Sequence, residues 1–226
     1  LTRGDIESLK GAGFAQAVVA KLEPGDVPED QAASRIADAL KGKGVRVGAS
    51  FTGRANLHAS AHGLALVDVA RINRLNRLHE SLTFATVAHH AVVAERQLVA
   101  TVKVIPFAVP RDVLAEALSL IGGEPLIRVE PFRHRRAGLI ITRLPQTKAT
   151  ILAKSEQAVA DRLRALGGEL AETRIVDHAI VAVREAIAAL LGRGLNPVLV
   201  FGASAIVDRG DVIPAALAAA GGEVVH

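Results

Sequence analysis

The chain has 226 residues, of which half are hydrophobic and 22% are charged, and its formal net charge is +4. This length and a mean hydropathy of +0.32 exclude a disordered chain and allow one or two domains with their own cores. The absence of cysteine excludes disulfides, thiolate metal sites and a cysteine nucleophile. No apolar run approaches the ~18 residues that cross a bilayer, and no signal peptide begins the chain, so a cytoplasmic protein without a membrane partner is expected.

The basic residues are dispersed among acidic ones, and the aromatic residues are six Phe without Tyr or Trp. Stacking platforms for single-stranded nucleic acid are therefore scarce, and no nucleic-acid partner is expected. The chain begins with Leu1, contains no Met, and ends at His226 directly after the start of an expected strand. Both ends are therefore predicted to be trimmed.

Residues 1–136 are predicted to form a mixed α+β region. In chain order, the expected elements are helix 5–11, strand 15–22, a helix ending near 41, strand 45–51, strand 63–68, helix 69–78, strands 81–93 and 97–107, helix 111–121 and strand 127–129. The acidic turn at 23–30 suits the start of a helix, where Pro28 and two carboxylates are favourable, better than it suits a metal site.

Two polar clusters in or next to this region leave alternatives open. His58 and His62 lie four residues apart, a spacing that could present two zinc ligands on a helix, but a surface turn of helix is favoured. The cationic segment 132–136 could contact phosphate, but a solvated linker between domains is favoured.

From residue 137 onward, strands and helices alternate, and each helix ends in glycine. The expected order is strand 138–142, helix 147–166, strand 169–176, helix 178–191, strand 197–201, helix 211–220 and the start of a fourth strand at 223–225. This order predicts right-handed crossovers and a doubly wound, mainly parallel sheet over 137–226.

Three loops should meet at the carboxyl edge of that sheet, where open α/β sheets bind their ligands. They carry hydroxyls, cations and carboxylates, namely Thr142, Arg143, Thr147, Lys148, Lys154, Ser155, Asp177, His178, Ser204, Asp208 and Asp211. Such a set suits a phosphorylated ligand with Mg²⁺, because oxygen atoms bind the metal while lysines and helix amino ends bind phosphate.

Other chemistries fit this edge less well. A GxGxxG dinucleotide fingerprint, a Walker lysine loop and a GxSxG elbow around Ser204 are all absent. Asp208 and Asp211 could simply cap the last helix, although capping requires one carboxylate and the loop has two.

The sequence over 138–226 resembles the molybdopterin-binding domain shared by molybdenum cofactor biosynthesis proteins. The resemblance rests on the opening strand 138–142, the helix closing on 166–168, Val176-Asp177, and the strand and glycine loop that end in Asp208. The family's loop reads Thr/Ser-Gly-Gly-Val-Ser-Val-Gly-Asp, which aligns with residues 201–208. Here Gly202 and Asp208 are kept, whereas Ala203 and Val207 replace glycines and the hydroxyl lies on Ser204. The whole chain is similar to a divergent bacterial branch of molybdopterin-binding proteins.

The resemblance implies a molybdopterin-binding fold and a role in molybdenum cofactor biosynthesis, with molybdopterin or its nucleotide adduct as the ligand. Asp208 and Asp211 are the expected catalytic and Mg²⁺-binding residues. The expected ligand contacts are Thr142, Lys148, Lys154, Ser155, Asp177, Gly202, Ala203 and Ser204. Three roles stay open: a transferase for molybdenum insertion or nucleotidyl transfer, another phosphate-ligand transferase, and a non-catalytic carrier or sensor. A homo-oligomer and a separate or fused nucleotidyltransferase domain are the partners considered.

Overall fold

The computed structural model describes residues 2–225, and the chain divides into two compact units, Leu1–Pro131 and Phe132–His226. The boundary expected from the sequence lies five residues later, between residues 136 and 137. The expectation of a mixed α/β protein with a parallel sheet is confirmed, since helices and strands occur in both units and one sheet has three parallel strands. Within residues 2–225, each helix is too short or too polar to cross a membrane.

The first unit combines helices with short antiparallel strands. Its helices are α1 (Arg3–Gly11), α2 (Glu29–Leu40), α3 (Val69–Leu75) and α4 (Arg111–Ile121). Its strands are β1 (Val27–Pro28), β2 (Val45–Val47), β3 (Arg54–Ala59), β4 (Gly63–Val67), β5 (Leu82–Thr86), β6 (Val92–Val93), β7 (Leu98–Val104), β8 (Ala108–Val109) and β9 (Ile127–Pro131).

The strands of this unit form three antiparallel sheets. The largest has the order β2-β3-β7-β5, a second has the order β6-β4-β9, and β1 pairs with β8. Residues alternate between buried and accessible along β3 and β7, so one face of the largest sheet is buried and the other meets solvent. Leu57 on β3 and Ile36 and Leu40 on α2 belong to one buried cluster.

Two predictions for this unit are wrong. Residues 15–22 form no strand but an exposed, irregular segment in which Val18 is 98% accessible. His58 lies on β3 and His62 in the turn that follows, so the two imidazoles do not share a helix face. The predicted strand 81–93 is divided into β5 and β6 by a turn that contains His89 and His90.

The second unit follows the predicted alternation closely. Its elements in chain order are β10 (Arg136–Arg143), α5 (Ala149–Ala165), β11 (Glu169–Asp177), α6 (Ile180–Gly192), β12 (Val198–Phe201) and α7 (Val212–Ala219). The expected fourth strand is wrong for residues 223–225, which have no regular secondary structure.

The parallel sheet has the order β11-β10-β12, with β10 at its centre. Ile140 on β10 packs with buried residues of α6 and α7, such as Leu190 and Ile213. The next residue, Ile141, lines a cavity together with Ile151 on α5, so α5 lies on the opposite face of the sheet. Helix α5 connects β10 to β11 on one side of it. Helix α6 then connects β11 to β12, which lies on the other side of β10. The topological switch point therefore lies between the carboxyl ends of β10 and β12.

Candidate functional site

A cavity of about 390 Å³ opens at this switch point, within the size range of ligand pockets. Residues of β10, of the loop after β12 and of one face of α5 line it. Among the predicted ligand contacts, the lining includes Thr142, Lys148, Ser155, Gly202 and Ala203. Five of the expected ligand contacts, from three parts of the chain, thus line one cavity.

The start of α5 gives this cavity a positive character. Lys148 is the N-cap residue, and no side chain caps the first turn. The free N–H groups and the helix dipole therefore favour an anion, and the ammonium group of Lys148 adds a full charge beside them. Hydrophobic contacts come from Ile151 and Leu152, one turn into the helix.

A second cavity of about 650 Å³ lies towards the carboxyl end of β11 and shares Thr147 and Leu152 with the first. Asp177 and His178 line it, together with Arg143. The guanidinium of Arg143 is paired with the Asp177 carboxylate at 3.1 Å, and both side chains are largely exposed. Asp177 is therefore held by a cation of the protein itself.

Thr142, His178 and Ser204 form a chain of hydrogen bonds across the strand ends. The hydroxyl of Thr142 lies 2.9 Å from Nδ1 of His178, and Nε2 of His178 lies 3.0 Å from the hydroxyl of Ser204. The backbone N–H of Ala203 donates to the Thr142 hydroxyl at 2.7 Å. The loop after β12 is thus tied to the central strand through one buried threonine.

The direction of this chain follows from the burial of Thr142, which is only 2% exposed. Its hydroxyl already accepts the Ala203 N–H, and within residues 2–225 its proton has no acceptor other than Nδ1 of His178. Thr142 then donates to His178, and the proton of the neutral imidazole lies on Nε2 and is donated to Ser204. In this tautomer His178 cannot take the Ser204 proton, so the arrangement favours Ser204 as a hydrogen-bond donor to a ligand over a serine nucleophile.

Asp208 and Asp211 shape the loop between β12 and α7. A carboxylate oxygen of Asp211 accepts the backbone N–H groups of Val207 and Asp208, and Asp208 accepts the N–H of Gly210 at 2.7 Å. The backbone N–H groups of Val207 and Asp208 lower the pKa of Asp211. Asp211 is therefore a carboxylate near neutral pH and is poorly suited to take up a proton.

These two carboxylates are the residues expected to bind Mg²⁺. Across residues 2–225, three or more His, Asp or Glu side chains are nowhere grouped so that they could hold a metal ion. Asp208 and Asp211 each keep one carboxylate oxygen that accepts no hydrogen bond in the described part of the chain. The pair is compatible with Mg²⁺, which is commonly held by one or two carboxylates together with substrate phosphates and water.

The remaining predicted residues are placed less centrally. Lys154 is exposed and lines neither cavity, and Ser204 contributes its hydroxyl beside them. The N–H of Ala203 bonds to Thr142 and is not free for a ligand, contrary to the expected backbone contact. His178 belongs to the polar set expected at this edge but not to the expected ligand contacts, although a histidine directly after a strand at this edge is a usable signal.

No protein-family model matches the chain, and no curated protein matches it significantly.

Proposed function

We propose that the second unit binds molybdopterin or its nucleotide adduct at the switch-point cavity, in molybdenum cofactor biosynthesis. The observation that supports this most is the position of the cavity, at the carboxyl ends of β10 and β12, with five of the expected ligand contacts in its lining. The fold proposed is that of the molybdopterin-binding domains that the sequence resembles.

The phosphate of such a ligand would lie at the start of α5. There it would accept hydrogen bonds from the free N–H groups and be neutralised by Lys148. The pterin would pack against the hydrophobic surface of Ile151, Leu152 and Phe201. Ser204 would donate its hydroxyl proton to a ligand oxygen, because His178 already donates to its oxygen.

Asp208 and Asp211 line neither cavity, and their free carboxylate oxygens would hold Mg²⁺ in the loop after β12, where the ion would supply positive charge to an anionic ligand. The loop geometry favours this binding role over acid–base catalysis by Asp211, because its lowered pKa keeps that carboxylate ionised.

Two lysines near the start of α5 give a matched test. Equilibrium binding of molybdopterin should weaken about tenfold in Lys148→Gln, which loses a charge-assisted contact, and stay within about twofold of wild type in Lys154→Gln. Equal affinities in the two variants would place the phosphate elsewhere. Titrations with and without Mg²⁺ should differ for wild type and coincide for Asp208→Ala.

A turnover assay decides between an enzyme and a carrier. The two substrates to supply are molybdate and the adenylylated pterin. Binding without product would favour a carrier or sensor acting with a nucleotidyltransferase, and product formation would favour a transferase. Alanine and valine occupy two positions that are glycine in the family's loop, and their side chains restrict how closely a ligand can approach the loop backbone. This restriction favours the carrier role.

A further inference from the structure

The solvent-facing side of the sheet β2-β3-β7-β5 carries basic residues and no acidic ones. The four strands contain Arg46, Arg54, His58 and Lys103 but no Asp or Glu. Arg46 lies directly opposite His58, and Arg54 lies directly opposite Lys103. The like charges of Arg54 and Lys103 destabilise the sheet where they face each other, and no carboxylate in these strands offsets them.

A cavity of about 420 Å³ lies at one end of this face. It is lined by Arg46, Val47, Gly48, His58 and Arg96. Arg46 and Arg96 form no ion pair with any carboxylate in residues 2–225, and this includes Glu95, the sequence neighbour of Arg96. Two guanidinium groups and an imidazole thus surround a cavity that has no acidic lining.

Arg96 is held there at a conformational cost. It occupies the third position of a β-turn closed by a hydrogen bond from the Gln97 N–H to the Ala94 carbonyl, and its φ is +67°. Glycine or asparagine is favoured at such a position, and left-handed backbone at other residues costs about 1–3 kcal/mol. The N–H of Arg96 donates to the Ala59 carbonyl at 2.8 Å, which fixes the turn beside β3.

We propose that this cluster of Arg46, His58 and Arg96 binds the phosphoryl group of a small phosphorylated molecule. Guanidinium groups match phosphate oxygens in bidentate geometry, and the imidazole adds an N–H donor. An anion bound between Arg46 and Arg96 would explain why their charges are unpaired and why Arg96 is held in a strained conformation. A nucleic-acid ligand is disfavoured because the four strands place no Phe, Tyr or Trp on the solvent side for a base to stack on.

The test uses the full chain, labelled with ¹⁵N and titrated with pyrophosphate at low salt. The amide resonances of Arg46, Gly48, His58 and Arg96 should shift together and saturate. Because the resonances are resolved by residue, this result is independent of any binding at the switch-point cavity of the second unit. The absence of saturable shifts at the cluster would overturn the proposal.

A pair of turn variants gives the matched control. His90, with φ of +66°, occupies the same position of a β-turn closed from Ala91 to Ala88, but it does not line this cavity. Arg96→Gly and His90→Gly should both raise the Tm by about 1–3 °C, because glycine adopts this backbone without strain. Only Arg96→Gly should weaken pyrophosphate binding, by at least about tenfold.

Arg46→Gln, which keeps the length of the side chain nearly unchanged, should also bind pyrophosphate at least about tenfold more weakly. Unchanged affinity in Arg46→Gln and Arg96→Gly would overturn the proposal, as would equal losses in Arg96→Gly and His90→Gly. A titration with decathymidylate forms the second arm. Binding of this oligonucleotide at the cluster without binding of pyrophosphate would also overturn it in favour of a nucleic-acid surface.

Discussion

At the scale of single residues, two threonine hydroxyls on neighbouring strands differ in hydrogen bonding. The hydroxyl of Thr142 on β10 is bonded to Ala203 and His178, whereas that of Thr173 on β11 is buried without a partner in the described part of the chain. An unsatisfied buried group costs about 1–3 kcal/mol. We expect Thr173→Val to raise the free energy of unfolding by about 1 kcal/mol and Thr142→Val to lower it by about 1–3 kcal/mol.

Urea denaturation measures both changes, and each variant is the control for the other because both replace a hydroxyl by a methyl group. A loss of stability in Thr173→Val as large as that in Thr142→Val would contradict the assigned hydrogen bonds.

The lowered pKa of Asp211 should make the stability of the protein depend on pH. Backbone N–H groups of Val207 and Asp208 lower its pKa in the folded protein. A carboxyl group of this kind stabilises the fold above its ordinary pKa, near about 4, and this contribution disappears as the pH falls through the lower folded value. We expect Asp211→Asn to have a lower Tm than wild type at pH 7, and the difference to close below about pH 4. A difference that stays constant down to about pH 3 would rule out this role.

Asp208 and Asp211 show how much of a single residue's role the sequence could predict. The position of Asp208 and Asp211 in the loop after β12 is evident from the sequence. Whether a carboxylate is free or accepts hydrogen bonds from backbone N–H groups depends on the conformation of the turn. The residue types from Val207 to Asp211 do not determine that conformation. The link from Thr142 through His178 to Ser204 joins residues far apart in the chain, so only the folded sheet brings them together.

At the scale of elements, α3 begins with a well-formed cap. The Asp68 carboxylate accepts the Arg71 backbone N–H at 2.9 Å and the Arg71 side chain at 2.8 Å. We expect Asp68→Ala to lower the free energy of unfolding by about 0.5–2 kcal/mol, the usual value of an N-cap. Chemical denaturation of the variant at neutral pH checks this.

Glu124 supplies the control, because it also pairs with Arg71, at 3.5 Å, but its side chain is 84% exposed. Glu124→Ala should change stability by less than about 0.5 kcal/mol. If the two variants were equally destabilised, the ion pair and not the helix cap would be the main contribution of Asp68.

Helices were predicted more reliably than strands because their signals are local. Helix α4 begins and ends where expected, with Gly122 at φ of +66° after its last turn. The segment 15–22 has the composition of a strand but no neighbouring strand to complete its hydrogen bonds, and composition does not report on a partner. In the second unit, the alternation of helix and strand supplies the partners as well, which explains why β10, β11 and β12 were all found.

At the scale of the whole molecule, the charged residues are evenly distributed along the sequence but not over the folded surface. Basic and acidic residues are interspersed along the chain, yet the four strands β2, β3, β5 and β7 retain cations without any carboxylate. The order of charges along the sequence therefore did not indicate this cationic surface, because only the pairing of the strands shows which residues share a face.

The two long helices of the second unit are buried to very different degrees. Helix α6 buries Val183, Ala186, Ile187 and Leu190, whereas α5 has 17 residues and none of them is buried. Few buried contacts mean a low free energy of local opening. We therefore expect the amides of α5 to exchange with deuterium faster than those of α6 in native-state hydrogen exchange. Similar protection of both helices would contradict this expectation.

The weakly held helix is also the one that lines the switch-point cavity, through Lys148, Ile151 and Ser155. A ligand bound there would add contacts to α5 that the protein alone does not provide, and the helix amides would become slower to exchange. Part of the binding free energy would be spent on keeping this helix closed, so the observed affinity would depend on its opening equilibrium. Substitutions on the outer surface of α5 that raise helix propensity would then tighten binding without touching the ligand.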